Sequence, residues 1–533
     1  MKNILIAGAW PYANNALHVG HLSALLPADV IARHYRINND KVIYVSGTDS
    51  HGTPITMRAK KEKIEPSLLV NNYHEEFKKC FNDLNFSYDM YGITCEEYHK
   101  KEVMNIFKTI YDNGYIYEKI APEDYCEKCQ EYLSDRELIG ICPFCGKESK
   151  ADQCDNCLHD LDSTILKEKK CITCGNIPIK KDNKHLYFAL SKLQPQLENF
   201  YEENKKYWRT NGINETYKYL NNGLIDRAAT RQLNWGVDVP IEGYDDKKLY
   251  VWIEAVLGYL TMTKKYCQEN NLDFEEFMTS KDTISYYAHG KDNIVFHTII
   301  FPALLLAINP NYNLPKYIVS SEYVNMNDEK MSKSKGNGIT INDLTTNFAS
   351  DSIRYYFIIN NPEKKDVNFS YTDFINSHNK HLVGEYGNFI NRNLAFLVKK
   401  FDGVVPKGKI DESVKQKIEE TYSKTNKLIE EANLRTALEV IFELVRFSNK
   451  YYDESTPWIK VKENIEEFNN ITYTCLNLIA NISNLLTPFM PNSSSKVFKM
   501  LEIKQATTSY ITIKEDLILK DVVILFERIE TKE

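Results

Sequence analysis

The sequence predicts an α/β fold whose parallel sheet is interrupted by a cysteine-rich insertion and followed by an all-α bundle. Three observations carry this prediction. Short apolar runs alternate with helical patterns in two separate blocks, eight cysteines stand in C-x-x-C pairs between the blocks, and the pattern after about residue 379 is helical. At 533 residues the chain is also too long for a single hydrophobic core, so we expect several domains.

The first block of the sheet lies at the start of the chain. Residues 3–7 form a short apolar run, a helical pattern begins at about His21, and residues 42–46 form a second apolar run. Strand, helix and strand at this spacing are typical of a βαβ unit in a Rossmann-like parallel sheet. The sheet resumes after the insertion, with further strands predicted at 249–253, 284–288 and 317–320.

From about residue 379 the sequence changes character. Segments 412–432 and 434–452 carry apolar residues three and four positions apart, which is typical of amphipathic helices. We therefore predict an all-α bundle in this part of the chain. Near the end, residues 522–526 are apolar enough to pack back on the body as a strand.

The composition is that of an ordinary globular protein, with 43% hydrophobic and 26% charged residues. The longest apolar runs, such as residues 299–308, are too short to span a membrane, and the first residues lack the features of a secretory signal. We expect a cytoplasmic protein without membrane association. The net charge of −7 does not decide for or against a nucleic-acid partner, because phosphate contacts depend on where the Lys and Arg residues lie.

The paired cysteines indicate metal binding. Two thiolates at positions i and i+3 can share one tetrahedral Zn²⁺ with a second such pair, so eight cysteines suit two Zn²⁺ ions with a structural role. The spacing alone permits interleaved or consecutive pairing, and redox-active thiols are the alternative interpretation. The eight residues are Cys126, Cys129, Cys142, Cys145, Cys154, Cys157, Cys171 and Cys174.

Two histidines stand between the first strand and the first helix, in the string His18-Val19-Gly20-His21. In an open parallel sheet, ligands bind beyond the carboxyl ends of the strands, where helix N-termini also point. Imidazoles at that place can donate hydrogen bonds to phosphate oxygens, and Gly20 lets the backbone approach a flat ligand. On its own this short motif is better explained as a helix-capping or packing pair.

A second motif lies about three hundred residues later, in the string Lys330-Met331-Ser332-Lys333-Ser334. Lysines with serines and a following glycine make a cationic loop that is suited to a polyphosphate and to the departure of pyrophosphate. The chain contains no G-x-x-x-x-G-K-[ST] string, which disfavours a P-loop ATPase. Taken together, the two motifs predict ATP-dependent nucleotidyl transfer.

These two motifs resemble the HIGH and KMSKS signatures of class I aminoacyl-tRNA synthetases, and the residues between them are similar to methionyl-tRNA synthetases. The resemblance runs in order from the N-terminus to about residue 500. The further strings that carry it are residues 9–14 (AWPYAN), 47–54 (GTDSHGTP), 250–255 (YVWIEA), 290–297 (GKDNIVFH) and 451–458 (YYDESTPW).

The resemblance implies roles for residues at the matching positions. The catalytic residues would be His18, His21, Lys330 and Lys333, and ATP would also contact Gly20 and Ser334. Asp49 would pair with the α-ammonium of methionine, and Asp292 would lie near the adenosine or the amino acid. An unbranched thioether needs apolar and aromatic walls. The resemblance assigns the methionine site to Ala9, Trp10, Tyr12, Asp49, Trp252, Val256, Tyr259 and His297.

The chain departs from the usual family pattern at four positions, of which Trp10, Val256 and Phe301 are expected near this site. Trp10 stands where many relatives carry Leu, Val256 at a frequent Pro position, Phe301 at a frequent Trp position and Glu254 at a frequent Asp position.

In the helical part, the resemblance implies that Asn388, Arg392 and Trp458 recognise the anticodon. For the cysteines it implies interleaved pairing, with the inner four, 142 to 157, on one metal and the outer four on the other.

The resemblance also supplies a domain plan. Residues 1–116 and 235–322 would be the two halves of the catalytic domain, 117–234 the connective insertion with zinc knuckles, 323–378 the KMSKS loop and stem-contact region, and 379–533 the anticodon-binding domain with a C-terminal tail. The expected substrates are L-methionine, ATP with Mg²⁺, and tRNA(Met). We expect a monomer.

Two other functions are alternatives to methionyl transfer. Valyl, isoleucyl and leucyl enzymes carry a large editing insertion, for which the roughly 120 residues of zinc knuckles leave no room, and a cysteinyl enzyme would use zinc in the active site. A non-catalytic tRNA-binding or regulatory descendant of a synthetase is the second alternative. The intact His18, His21, Lys330 and Lys333 argue against it.

Overall fold

The computed structural model describes residues 1–133, 137–151, 154, 157, 161, 164–326, 329–330 and 338–530, and of residues 329 and 330 it describes the backbone. The strands are β1 (Asn3–Gly8), β2 (Lys41–Thr48), β3 (Met90–Ile93), β4 (Ile116–Cys126), β5 (Glu131–Tyr132), β6 (Leu138–Ile141), β7 (Glu148–Lys150), β8 (Lys167–Cys171), β9 (Ile179–Phe188), β10 (Arg227–Ala228), β11 (Thr230–Arg231), β12 (Lys248–Leu249), β13 (Thr283–Gly290), β14 (Tyr317–Ser321), β15 (Val324–Met326), β16 (Glu329–Lys330) and β17 (Val367–Asn368).

The helices are α1 (Val19–Ile37), α2 (Thr53–Glu62), α3 (Pro66–Asp83), α4 (Glu97–Asp112), α5 (Gln194–Asn204), α6 (Thr210–Asn221), α7 (Val251–Glu254), α8 (Gly258–Glu269), α9 (Phe274–Thr279), α10 (Phe301–Ile308), α11 (Ile341–Asn347), α12 (Ser350–Ile359), α13 (Tyr371–Ser377), α14 (Asn388–Phe401), α15 (Glu412–Glu430), α16 (Leu434–Ser455), α17 (Pro457–Glu463), α18 (Ile465–Leu486) and α19 (Pro491–Met500).

The central sheet has five parallel strands in the order β14-β13-β1-β2-β3. The chain proceeds from β1 to β2 on one side, while β13 leads to β14 on the other side. The strand order therefore reverses between β1 and β13, and a crevice forms at the carboxyl ends of these two strands. The functional cleft lies there.

β1 is buried on both faces. Ile4 and Ile6 pack into one core cluster together with residues of α1, whereas Leu5 and Ala7 pack into a second cluster on the opposite face. Successive side chains of a strand point to opposite faces, and parallel sheets are covered on both faces. An uninterrupted apolar run at residues 3–7 is therefore what this position requires.

The insertion consists of small antiparallel sheets. β4 and β9 form a long ribbon flanked by β5 and β10, and β6 pairs with β7 and β8 in a separate three-stranded sheet. The predicted strand at 249–253 is wrong in part, because only Lys248–Leu249 is a strand and Val251 begins α7. Short apolar runs do not distinguish a strand from a buried helical turn, which explains the error.

The C-terminal part is helical, as predicted, and it shares a core with one face of the sheet. Arg354 of α12 and Asp29 of α1 form an ion pair of 2.7 Å in which neither side chain is exposed. Arg354 also donates to the carbonyl oxygens of Pro488 and Phe489. Losing one partner of a buried pair costs about 3–5 kcal/mol, so this contact fixes α1 relative to the helical part.

Two further features differ from the sequence-based expectations. Residues 522–526 form no strand, although Phe526 packs against the core with 7% of its surface exposed. The segment Lys291–Ile308 is long and apolar enough to cross a membrane by length and composition, whereas a shorter run was expected there. It is 56% buried inside the protein, and core helices of globular proteins pass the same test.

Candidate active site

Eight of the residues predicted to bind methionine or ATP line a cleft of about 450 Å³ at the carboxyl ends of β1, β2 and β13. Its walls come from segments that follow these strands and from the start of α1. The lining residues are Ala9, Trp10, Pro11, Tyr12, Asn14, Asn15, His18, Gly20, His21, Ala24, Leu25, Asp49, Trp252, Gly290, Asp292, Asn293, Glu322, Tyr323 and Val324.

His18 and His21 are held by the backbone at the start of α1. Nδ1 of His18 accepts a hydrogen bond from the N–H of Gly20, and Nδ1 of His21 accepts one from the N–H of His18, both at 3.1 Å. The ring centroids lie 3.9 Å apart. Because Nδ1 accepts in both rings, the neutral imidazoles carry their proton on Nε2. Helix capping and ligand binding are thus compatible uses of the same two side chains.

Gly20 is required by the packing of His18. A Cβ at this position would lie 2.9 Å from Cε1 of His18, which is closer than real Cβ atoms approach other atoms. A larger residue would displace the imidazole. Gly20 therefore serves the position of His18 as well as the predicted approach of a ligand to the backbone.

The segment that follows the second motif is attached to the first. The residue pair His18 and Thr340 forms an antiparallel bridge, and the N–H of Val19 donates to the carbonyl oxygen of Ile339 at 3.1 Å. On the other side of the motif, the backbone of Lys330 pairs with Asn325 between β16 and β15. Lys333, Ser334 and the side chain of Lys330 lie outside the described residues.

Asp49 lies at the end of β2 with 3% of its surface exposed. Burial and the nearby charge of Glu254 raise its pKa well above the ordinary value of an aspartate, against the opposing effect of a hydrogen bond from the backbone of His51. None of the ion pairs among the described residues includes Asp49. A buried carboxylate in this environment favours a cationic ligand.

Trp10 is held between two glycines. A Cβ at Gly47 of β2 or at Gly258 of α8 would collide with its indole ring. These two glycines provide the space that the indole of Trp10 occupies. Nearby, Tyr12 and Trp252 meet edge to face at 5.8 Å, and Phe296 stacks on Trp252 at 4.1 Å.

Val256, Tyr259 and His297 do not line the cleft but are buried in the core below it. The hydroxyl of Tyr259 and Nε2 of His297 are 2.8 Å apart, and Nδ1 of His297 lies 2.7 Å from the carbonyl oxygen of Asn293. Burial lowers the pKa of His297 to about 4, so this ring is neutral at pH 7. A neutral ring that donates from Nδ1 accepts from Tyr259 at Nε2.

Sequence reasoning missed the wall formed by residues 322–324. Tyr323 donates a hydrogen bond to Asp292. Lys291 forms ion pairs of 2.7 Å with Glu322 and Asp366. Residues 322–324 directly follow the predicted strand at 317–320, so the rule that ligands bind beyond strand ends contained the signal.

The eight paired cysteines form two clusters. Within each cluster the sulfur atoms lie within 4.8 Å of one another, and one cluster holds residues 126, 129, 171 and 174 while the other holds residues 142, 145, 154 and 157. The pairing is interleaved, as the family resemblance implied, and consecutive pairing does not occur. Tetrahedral Zn–S bonds of about 2.3 Å place sulfurs about 3.8 Å apart. The distances Cys126–Cys174 of 3.4 Å and Cys129–Cys171 of 3.9 Å fit this geometry.

The three residues expected to read the anticodon share a region of the helical part. Asn388 and Arg392 lie one turn apart on α14, and Trp458 lies at the start of α17 with 43% of its surface exposed. The guanidinium of Arg392 is 5.9 Å from the Trp458 ring, and it forms an ion pair of 2.7 Å with Asp453. An exposed indole beside a guanidinium suits the stacking of unpaired bases.

Comparisons with known proteins cover nearly the whole chain. The family model of class I tRNA synthetases (M) matches residues 4–394, and the model of the anticodon binding domain of methionyl tRNA ligase matches residues 404–520. Methionine–tRNA ligase 1 of Alkaliphilus oremlandii is 48% identical over 99% of this chain and 98% of that protein. Methionine–tRNA ligase of Bacillus cereus is 45% identical over 100% of this chain and 97% of that protein.

Solved structures show the same fold. Mycobacterium tuberculosis methionyl-tRNA synthetase in complex with methionyl-adenylate superimposes with a TM-score of 0.83 at 23% identity, covering 99% of this chain and 100% of that one. The resemblance drawn from the sequence motifs and the predicted fold class are confirmed. The chain belongs to the methionyl-tRNA synthetases of the class I aminoacyl-tRNA synthetase family.

Proposed function

We propose that this chain joins methionine to ATP, releasing pyrophosphate and forming methionyl-adenylate, and then transfers methionine to the 3′ end of tRNA(Met). The observation that carries the proposal is the position of Asp49. Its buried carboxylate lines the same cleft as His18 and His21 at the N-terminus of α1. An ammonium site and a phosphate site in one cleft are what the condensation of an amino acid with ATP requires.

In the first step, the carboxylate of methionine attacks the α-phosphorus of ATP and the bond to the β-phosphate breaks. Negative charge develops on the transferred phosphoryl oxygens and on pyrophosphate. The Nε2–H groups of His18 and His21, together with the N-terminus of α1, stabilise the α-phosphate. Lys330 and Lys333 neutralise the departing pyrophosphate, Ser334 contacts ATP, and Mg²⁺ accompanies the nucleotide. No side chain acts as a covalent nucleophile.

Methionine recognition is divided between charge and shape. Asp49 receives the α-ammonium as a charge-assisted hydrogen bond. Ala9, Trp10, Tyr12 and Trp252 supply the apolar and aromatic walls, and their position along the cleft supports this assignment. Val256, Tyr259 and His297 are buried outside the cleft lining, so they would reach methionine only if the pocket extended beyond its present walls.

The cysteine-rich insertion and the helical part contribute to stability and to tRNA binding, respectively. The two cysteine clusters hold two Zn²⁺ ions that keep the insertion folded, and the closed four-sulfur geometry supports a structural role. Asn388, Arg392 and Trp458 read the anticodon. We further propose that the protein works as a monomer in the cytoplasm.

The test is exchange of labelled pyrophosphate into ATP by the purified protein. The proposal expects exchange only when L-methionine is present, and negligible exchange with valine, isoleucine, leucine or cysteine. Exchange that another amino acid supports better would assign the chain to that substrate. Binding of tRNA(Met) with no exchange under any amino acid would favour the non-catalytic alternative.

The tRNA half of the proposal has its own test. Replacing Trp458 by Ala removes a stacking surface, which is expected to lower charging of tRNA(Met) by about tenfold while pyrophosphate exchange stays unchanged. Ile459→Ala is the matched control, because Ile459 is the next residue on α17 and is 42% exposed. Equal losses in both variants would remove Trp458 from the anticodon site.

A further inference from the structure

Glu254, at the end of α7, is enclosed between two histidines. Its Oε1 lies 2.9 Å from Nδ1 of His51 and its Oε2 lies 3.0 Å from Nε2 of His99. Glu254 and His99 are fully buried, and His51 is 2% exposed. Burial raises the pKa of Glu254, but the charges and hydrogen bonds of the two imidazoles outweigh burial and hold the pKa below its ordinary value. The carboxylate is therefore ionised and accepts from both rings.

This buried charge is next to the proposed ammonium site. The backbone N–H of His51 donates to Oδ1 of Asp49 at 3.3 Å, so the residue that pairs with Glu254 also orients Asp49. Burial raises the pKa of Asp49, and the charge of Glu254 raises it further. Two carboxylates in one water-poor region repel each other, and a cation bound at Asp49 on the cleft side relieves the repulsion.

The second histidine connects Glu254 to the wall of the cleft. Nδ1 of His99 is 2.9 Å from Oγ1 of Thr261 in α8, and the imidazole centroid is 6.0 Å from that of Trp10. His99 thus joins α4, α8 and the residue that follows β1. The carboxylate of Glu254 holds this ring by its other nitrogen.

We propose that Glu254 is a positioning residue for the substrate's ammonium group, acting as a second buried negative charge and fixing Asp49 through His51. The inference rests on the proposed function, because it concerns the same methionine site. Glu254 does not line the cleft, so it acts on the ammonium through Asp49 and His51. Its carboxylate spans two imidazoles, which aspartate, shorter by one methylene, cannot do without a shift of the backbone.

The test compares Glu254→Gln and Glu254→Asp in pyrophosphate exchange, with KM for methionine and KM for ATP measured separately. Gln keeps the size of the side chain but removes the charge, so KM for methionine is expected to rise about tenfold while KM for ATP stays within about twofold. Asp keeps the charge and is expected to lie between wild type and Gln. Unchanged KM for methionine, or parallel rises in both KM values, would overturn the proposal.

Two additions make the test specific. Binding of methioninol, which keeps the ammonium, should weaken in Glu254→Gln, whereas binding of the analogue that lacks the amino group should not. Glu102→Gln is the matched control, because Glu102 is a part-buried glutamate on α4, ion-paired with Lys264 of α8 and absent from the cleft lining. It should leave both KM values unchanged.

The outcomes separate this inference from the proposed function. If the wild-type protein shows no methionine-dependent exchange, the proposed function is contradicted. If the wild type is active and Glu254→Gln has the same KM for methionine, only the role of Glu254 is contradicted. If Glu254→Gln does not fold, Glu254→Asp decides. A several-fold rise in KM for methionine alone then supports the proposal, and any other result overturns it.

Discussion

The two ends of the cleft hold their side chains in different ways. At the histidine end, His18 and His21 accept hydrogen bonds from backbone N–H groups two and three positions away. At the methionine end, Glu254 is bonded to His51 and His99, which lie 203 and 155 positions away in sequence. The first end is built by four consecutive residues, whereas the second depends on α4, α7, α8 and the end of β2 packing together.

Because of this difference, substitutions at the two ends of the cleft should have different effects. Local hydrogen bonds at a helix start form whenever the helix forms. A substitution there should therefore change the rate of the chemical step and leave the binding of methionine nearly unchanged. A buried network of charges loses several contacts when one member changes, because each remaining group is left in a medium that cannot solvate it. Substitutions in the buried network at the methionine end should therefore lower the free energy of unfolding more than substitutions at the histidine end.

The largest expected effect is that of Asp49→Asn. The amide has the size of the carboxylate but cannot form a charge-assisted bond with the ammonium, so kcat/KM for methionine should fall by about a thousandfold. Pyrophosphate exchange measures the loss, and thermal unfolding serves as the control for folding. A loss of less than about tenfold would show that the ammonium binds elsewhere.

The next effect is that of His21→Asn. The amide oxygen of Asn can still accept from the N–H of His18, which preserves the helix start, but the Nε2–H donor is lost. We expect kcat to fall by about a hundredfold with KM for methionine unchanged, as for removal of a donor that acts in the transition state. A rise in KM for methionine would mean that the two ends of the cleft are coupled.

Gly20→Ala should have a smaller effect at the same end. The new Cβ would lie 2.9 Å from Cε1 of His18 and displace that ring, which should lower kcat by about tenfold. Gly212→Ala in α6 is the matched control, because its Cβ would meet its nearest neighbour at an ordinary 3.5 Å. Full activity of Gly20→Ala would contradict the placement of His18 against the phosphate.

The smallest effect on activation is expected from the insertion. Cys145→Ser breaks one cluster of four sulfurs and leaves the other intact. Metal analysis should give about two Zn²⁺ per chain in wild type and about one in the variant, with exchange activity within about twofold. A complete loss of exchange would show that the insertion supports the cleft directly.

The contrast between the two ends also explains what could be read from the sequence. His18, Gly20 and His21 are neighbours in the chain, and spacing alone places them at a helix start. The interleaved cysteine pairing and the position of Asp49 in the pocket were implied only by family resemblance. The network of Glu254, His51 and His99 was not found, because no local pattern records contacts between residues so far apart. Likewise, the sequence does not distinguish the helical turn α7 from a strand, because a short apolar run has no distinguishing period.

The pairing of His18 with Thr340 has a consequence for the second motif. Between the strand residue Lys330 and Thr340 only about ten residues separate two fixed points, although the two motifs are about three hundred residues apart in the chain. The entropic cost of closing a flexible segment grows with the logarithm of its length, as about three halves of RT ln n. The backbone contacts of Lys330 and Thr340 form when the protein folds, so folding itself covers this cost, which for three hundred residues is about 3 kcal/mol larger than for ten.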